Sequence, residues 1–394
     1  MEILAFLMLI YQFTQGISAN LNSSIAIHQM PVDTKLEKNF QDLIKVSSES
    51  SYDDIAKFIA GIPCSSPFLG KMQNSNIWKS YKKYIDSNWF DLEAKQLQFI
   101  KIFAHTELFE TNKKTGLLFY PFGGPDCLTA LQFFPNAQNY ILIGLEPVGN
   151  LPEVEKWKSQ YMESYLEDIK LSLSDFFKRG YFISRNMNKN LYNNKIDGVL
   201  PIICFFLERN GDKIIDIKHI AFDEKGNALE EKLRTYVERL KRPYGIKISF
   251  SQESPIKLGN IYYFSCDLSD SSLKKTSKFI LYLDKLDTMT VLIKDASYLL
   301  HYNNFTMIRN LILNKCQFIL QDDTGIPFRY FKDNNWEVKL YGQYTKPVKD
   351  FSGVEQPDLE KAYKANNIEK LPFNLGYHWR ENTDVLMLIQ RKAK

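Results

Sequence analysis

The 394-residue chain has no CxxC pair, no HExxH, no GxSxG and no P-loop. In turn, these absences remove a zinc or redox centre built from neighbouring cysteines, a zincin helix, a hydrolase nucleophile elbow and a Walker-type phosphate loop. The five cysteines, Cys64, Cys127, Cys204, Cys266 and Cys316, stand far apart, and no histidine clusters with them, so no metal site is assigned. Because five is odd, at least one thiol stays free or pairs between chains. No Lys/Arg run is long enough to line a nucleic-acid groove. The richest stretch, Lys232 to Arg242, alternates its charges, while Leu229, Leu233, Val237 and Leu240 fall at helical spacing. It reads as an amphipathic helix with a solvated face. Internal repeats and low-complexity segments are also missing.

What is present begins at the N-terminus. Leu4 to Ile10 is an unbroken apolar run, followed by polar Gln12, Thr14 and Gln15 and by Gly16-Ile17-Ser18-Ala19, which ends in small residues. It is shorter than the about 20 residues that a membrane span needs. Residues 1–19 therefore read as a signal peptide, although only Glu2, and no Lys or Arg, precedes the apolar core. The expected location is periplasmic or secreted, with no stable membrane span after processing. Residues 20–394 suffice for one large domain or two of ordinary size. Cleavage would remove Glu2 and raise the net charge from +4 by one unit, a small value for a chain this long. The first cysteine after the leader is Cys64, which excludes a lipid-modified N-terminal cysteine. Asn22-Ser-Ser24 and Asn304-Phe-Thr306 match N-x-[ST], a pattern that matters only in a eukaryotic secretory pathway.

From Asp33 to about Leu108 the pattern is helical. Asp33 is placed to cap a helix carrying Leu36, Phe40, Leu43 and Ile44; Ser51 is placed to cap another carrying Ile55, Phe58 and Ile59, stopped by Gly61 and Pro63. Residues 20–115 thus form a helical N-terminal region. The texture changes at Gly116. Leu117 to Phe122 reads as a buried strand, Gly123-Gly124-Pro125-Asp126 as a turn, Cys127 to Phe134 as a short helix, and Tyr140 to Leu145 as a second buried strand. Such a unit predicts a βαβ crossover in a parallel sheet. A helix is expected from Val154 to Arg179. Strands are expected at Gly198 to Leu207, Ile214 to Phe222, Gly245 to Ser251, Ile261 to Ser265, Phe279 to Leu283, Met289 to Ile293, Cys316 to Leu320 and, last, Trp336 to Tyr344. Arg209-Asn-Gly-Asp212 reads as a hairpin turn, and Phe305 to Leu313 as a helix. The fold class is α/β: a helical N-terminal layer, then a mixed, Rossmann-like sheet over residues 116–394 with added β-hairpins.

Three clusters could carry chemistry. In a dinucleotide-type unit, glycines after the first strand let a ligand approach the backbone, and an acid about 20 residues on takes a ribose hydroxyl. Gly123 and Gly124 occupy that turn, and Glu146 closes the second strand. The unit resembles a Rossmann-like nucleotide or S-adenosylmethionine site, but GxGxxG is unmet, Pro125 lacks an N–H, and Asp126 is placed equally well to cap the helix. The second cluster, Gln321-Asp322-Asp323-Thr324-Gly325-Ile326-Pro327-Phe328-Arg329, follows an apolar strand. Asp323-Thr-Gly resembles an aspartic-protease loop, but no second copy exists; a turn held by an Asp side chain beside Arg329 is the plainer reading. The third, Lys294-Asp295-Ala-Ser297-Tyr298-Leu-Leu-His301, lies where a strand meets a helix. Ser271-Ser-Leu-Lys274 and Lys114-Thr-Gly116 match SxxK and KTG in reversed order without SDN, and are read as chance.

Tyr120-Pro-Phe-Gly-Gly-Pro-Asp126, Gly144-Leu-Glu-Pro-Val-Gly149 and Asp322-Asp-Thr-Gly-Ile-Pro-Phe-Arg329 resemble segments of a family of exported bacterial proteins without an assigned activity. The resemblance covers Gly116 to the C-terminus and implies no catalytic residues. The resulting expectation is a pocket for a small polar or anionic ligand at the strand ends. Gly123 and Gly124 would provide backbone approach, Glu146 would accept ligand hydroxyls, Lys294 and Arg329 would neutralise charge, and Asp126 or Asp323 would be the general acid/base if the protein is an enzyme. No cofactor is specified. The alternatives are a non-catalytic envelope interaction protein and, if residues 1–19 are not a leader, a nucleotide- or S-adenosylmethionine-dependent enzyme.

Overall fold

Ser51 sits just outside the first helix in extended conformation, and its hydroxyl accepts from the Asp54 N–H at 3.1 Å. This is the side-chain cap the sequence predicts, and it starts α1 (Tyr52–Ile59). The computed structural model describes residues 51–183, 186–187, 196–231, 244–253, 256–365, 367–377 and 384–392, all within one compact unit, Ser47–Lys394. The leader, the helix expected from Asp33 and the helix expected over Lys232 to Arg242 lie outside the described residues. Helices α2 (Pro67–Gln73), α3 (Asn76–Leu92), α4 (Gln98–Thr106) and α5 (Phe109–Lys114) continue the helical layer.

The expected crossover follows. β1 (Leu117–Tyr120) leads through α6 (Cys127–Phe133) to β2 (Asn139–Gly144), which pairs with β1 in parallel. Next come α7 (Ser159–Arg179) and α8 (Leu200–Arg209), then β3 (Lys213–Phe222), β4 (Ala228–Glu231), β5 (Tyr244–Glu253) and β6 (Ile256–Ser265). The chain closes with α9 (Asp270–Lys275), α10 (Ser277–Lys285), β7 (Met289–Ile293), α11 (Thr306–Lys315), β8 (Cys316–Gln321), β9 (Trp336–Gly342), α12 (Pro357–Ala365) and β10 (Val385–Arg391).

All ten strands join one sheet in the order β4-β3-β5-β6-β2-β1-β7-β8-β10-β9. Its centre, β6-β2-β1-β7-β8, is parallel, and both flanks are antiparallel. Taken in chain order, the parallel strands lie third, second, first, fourth, fifth across the sheet, so the direction of winding reverses between β1 and β7. This is the doubly wound arrangement, in which both faces must be covered. Alternation divides the side chains accordingly. Leu118, Tyr120, Tyr140, Leu142 and Leu292 join a core with α1 to α4 and α6 to α8, while Phe119, Ile141, Ile143, Val291 and Ile293 join a second core with α9 to α12.

Several expected elements are corrected. Residues 198–207, read as a strand, form most of α8, with Pro201 in the first turn where its missing N–H costs nothing. Residues Leu200 to Glu208 are all buried, and a helix apolar on every side shows no amphipathic period to distinguish it from a core strand. Cys204, within that stretch, is buried on the helix. Asn210-Gly211 consequently turns a helix into β3 rather than joining two strands. Residues 279–283 lie inside α10, and β10 follows the strand expected to be last. All five cysteines are free. Among the described residues, no helix is long and apolar enough to cross a membrane.

Candidate functional site

A cavity of about 940 Å³ opens at the carboxyl ends of the parallel strands, where the winding reverses. Open α/β sheets place ligands in this crevice, because neighbouring connections leave in opposite directions there and the strand-end loops part. Its walls come from the loops after β1 (Phe122 to Asp126), β2 (Leu145, Glu146), β6 (Cys266 to Leu268) and β7 (Lys294 to Ser297), joined by Arg179 to Ile183, Val348 to Phe351 and Tyr377.

Five of the seven candidate residues meet in this cavity: Gly123, Gly124, Asp126, Glu146 and Lys294. Asp323 and Arg329 are not among its lining residues. Asp323 is buried and accepts from the Tyr298 hydroxyl at 2.5 Å, whereas Arg329 is exposed and lies over the Tyr330 ring at 5.2 Å. A position in a strand-end loop does not guarantee that a side chain turns into the crevice.

The hydrogen bonds divide the five further. Asp126 caps α6 by accepting from the Thr129 N–H at 3.0 Å; its other oxygen takes the Tyr120 hydroxyl at 3.2 Å and Lys294 Nζ at 3.0 Å. Lys294 also donates to the Gly180 carbonyl at 2.8 Å, and its Nζ lies 3.2 Å from Asp295 Oδ2. Burial alone would depress this ammonium, but Asp126 and Asp295 together hold its pKa above the ordinary lysine value. Both residues are thus engaged with the protein. The glycine turn is engaged too: Gly123 N–H donates to Tyr120 O, Gly124 N–H to Ile143 O, and Asp126 N–H to Gly123 O. Since Pro125 has no N–H, the turn does not offer the row of free donors that a phosphate cradle needs.

Glu146 is the exception. The residue is only 2% exposed, lines the cavity, and has no hydrogen bond or ion pair on its carboxylate among the described residues. Its position depends on two glycines. A Cβ on Gly144 would stand 2.7 Å from Glu146 Oε2, 2.7 Å from the Tyr263 hydroxyl and 2.8 Å from Gly124 Cα, while one on Gly124, at φ +54°, would stand 3.5 Å from Oε2. The Tyr263 hydroxyl donates to the Glu146 carbonyl at 2.9 Å and fixes the backbone. A carboxylate at a cavity wall whose lone pairs the protein leaves unfilled is open to donors from a ligand.

The loop after β7 is strained: Asp295, Ser297 and Tyr298 have φ of 56°, 50° and 55°, unfavourable for non-glycine residues. The acidic loop after β8 holds it there. Asp322 accepts from the Asp295 N–H at 2.9 Å and Thr324 Oγ1 from the Ala296 N–H at 2.8 Å, while Tyr377 donates its hydroxyl to the Asp295 carbonyl at 2.8 Å. Burial, offset in part by Lys294, pushes the Asp295 carboxyl up to about 6; burial, with Asp295 and Asp323 nearby, pushes Asp322 up to about 7. His301 is drawn down to about 4, chiefly by burial, so its imidazole is neutral near pH 7. The sequence singled out Asp322-Asp-Thr324 as a site; the geometry makes it the support for a site. Tyr377, Tyr181, Arg179 and Phe351 were missed, because nothing in their local pattern distinguishes them from ordinary helix-end and loop residues.

Comparison with protein-family models, with curated proteins and with solved structures gives no significant match. Among the described residues, no group of three or more His, Cys, Asp or Glu side chains is placed to hold a metal ion.

Proposed function

We propose that the switch-point cavity binds a small polar ligand bearing vicinal hydroxyls on an apolar body, namely an unphosphorylated ribonucleoside, and that the biological ligand is S-adenosylmethionine used in group transfer. The carrying observation is Glu146, whose carboxylate lines the cavity without a donor among the described residues at the end of the second parallel strand, where an acid takes ribose hydroxyls in folds of this winding. A diol supplies two O–H donors to one carboxylate, which answers that vacancy. Phe122, Leu268, Leu299 and Phe305 provide apolar wall for a base.

Three features favour this ligand over a dinucleotide or another phosphorylated anion. The turn N–H groups are engaged internally, Lys294 is neutralised by Asp126 and Asp295, and the side chain at the end of β2, Glu146, is negative. The sulfonium and ammonium charges of S-adenosylmethionine suit such a cavity; a pyrophosphate does not. Asp126 acts in this reading as a cap and counter-ion, not as a general acid. The reading also departs from the small-anion expectation and from the export expectation, since the cofactor is an intracellular metabolite.

Calorimetric titration with S-adenosylhomocysteine, the stable demethylated product, tests it. The expected result is saturable 1:1 binding, weakened at least tenfold (about 1.4 kcal/mol) in Glu146→Gln, with 2′-deoxyadenosine weaker than adenosine. No binding of any adenosine compound, or equal binding to wild type and Glu146→Gln, would sink the proposal.

A further inference from the structure

Resting on the same cavity, we infer that Arg179 receives an anionic oxygen group, carboxylate or phosphate, of a second substrate carrying an aromatic or apolar body. Arg179 is the last residue of α7, where Gly180 turns the chain at φ 76°, and it lines the cavity next to Tyr181 and Phe182. The Gly180 carbonyl is held by Lys294, so the guanidinium is rooted on the network that fixes the strand ends.

The cations of the cavity are not equivalent. Lys294 has all its donors directed at Asp126, Asp295 and Gly180. Arg179 has a side chain only 22% exposed and a buried Nε with no acceptor, and its Nη1 makes a long ion pair with Asp175 Oδ1 at 3.6 Å, without a hydrogen bond. Asp175 itself accepts from Asn186 at 2.9 Å through its other oxygen. A guanidinium carries five N–H donors in a planar fork matched to carboxylate and phosphate, and here none has an acceptor among the described residues. Glu146 and Arg179 thus both carry unfilled hydrogen-bonding capacity at this cavity, and they are of opposite sign. Around the arginine the wall is aromatic: Tyr181 meets Tyr377 edge-on at 4.9 Å, and Phe351 stacks on Tyr377 at 5.6 Å. An aryl or similarly flat body bearing the anion fits that wall.

Benzoate and phenyl phosphate share a body and differ in the anion, so ligand-observed NMR titration of the full chain with each separates the two sources. Binding in the millimolar range by at least one is expected, weakened tenfold or more in Arg179→Gln and unchanged in Arg329→Gln, whose exposed side chain lies outside the cavity. Melting curves check that each variant is folded. If Arg179→Gln does not fold, Arg179→Lys, which keeps the charge and loses the fork, should weaken binding at least threefold. Absence of binding by both probes, or equal affinity in wild type and the Arg179 variant, overturns the inference. Either result leaves the nucleoside titration at Glu146 independent, because neither probe carries a ribose.

Discussion

The loops after β2 and after β8 are both acidic, both buried, and both at carboxyl ends of parallel strands in one sheet, yet they do opposite things. Asp322 directs its oxygens at the Asp295 N–H, the Thr324 N–H and the Thr324 hydroxyl. Glu146 directs its oxygens at no donor among the described residues and lines the cavity. Residue type, burial and position in the fold are shared; what separates them is where the hydrogen bonds go. A carboxylate whose lone pairs are filled by its own chain shapes a site, and one left unfilled at a cavity wall is available to a ligand.

That contrast can be broken by substitution, and unfolding free energy from chemical denaturation is the measure. The largest effect belongs to Lys294→Met, which leaves Asp126 and Asp295 buried without their cation and should cost about 3–5 kcal/mol. A cost under about 1 kcal/mol would mean that the network does not hold the strand ends. Asp322→Ala strips two backbone N–H groups and a hydroxyl of their acceptor and should cost about 2–4 kcal/mol. The same loop predicts a pH effect. Asp295 and Asp322 bind protons in the folded state up to about pH 6 and 7, but in the unfolded chain only up to about 4. Their stabilising contribution is complete below about pH 4 and is lost as pH rises through 6 and 7. In Asp322→Asn the decline in stability between pH 4 and 8 should be shallower by about 1–2 kcal/mol; an unchanged slope would contradict the assignment. The smallest effect belongs to Glu146→Gln, within about 0.5 kcal/mol of wild type, because no partner among the described residues is lost. A cost above about 2 kcal/mol would place Glu146 with the structural carboxylates.

The β1–α6–β2 crossover was legible because each signal agreed: apolar runs of strand length, a Gly-Gly turn, an Asp where a cap belongs and an acid at the second strand end. The cap geometry at Ser51 and Asp126 matches expectation because a short polar side chain before a helix has one strong use. Residues 200–209 were misread because a fully enclosed helix and a core strand present the same continuous apolar run. The strain at Asp295, Ser297 and Tyr298 was invisible, since no glycine marks those positive φ angles and the bonds that enforce them come from residues up to 82 positions away. Arg329 was assigned to the cavity on proximity in sequence to Asp322, and the short helical turn Phe328–Phe331 directs it to the surface instead.

Native mass spectrometry of the protein from its own host, beside Glu146→Gln prepared identically, tests the central claim most directly. The account predicts a retained small molecule whose fragments include adenine and an unphosphorylated ribose, present on the wild type and depleted on the variant. A retained phosphorylated or hydroxyl-free ligand, or equal retention by both proteins, would contradict it.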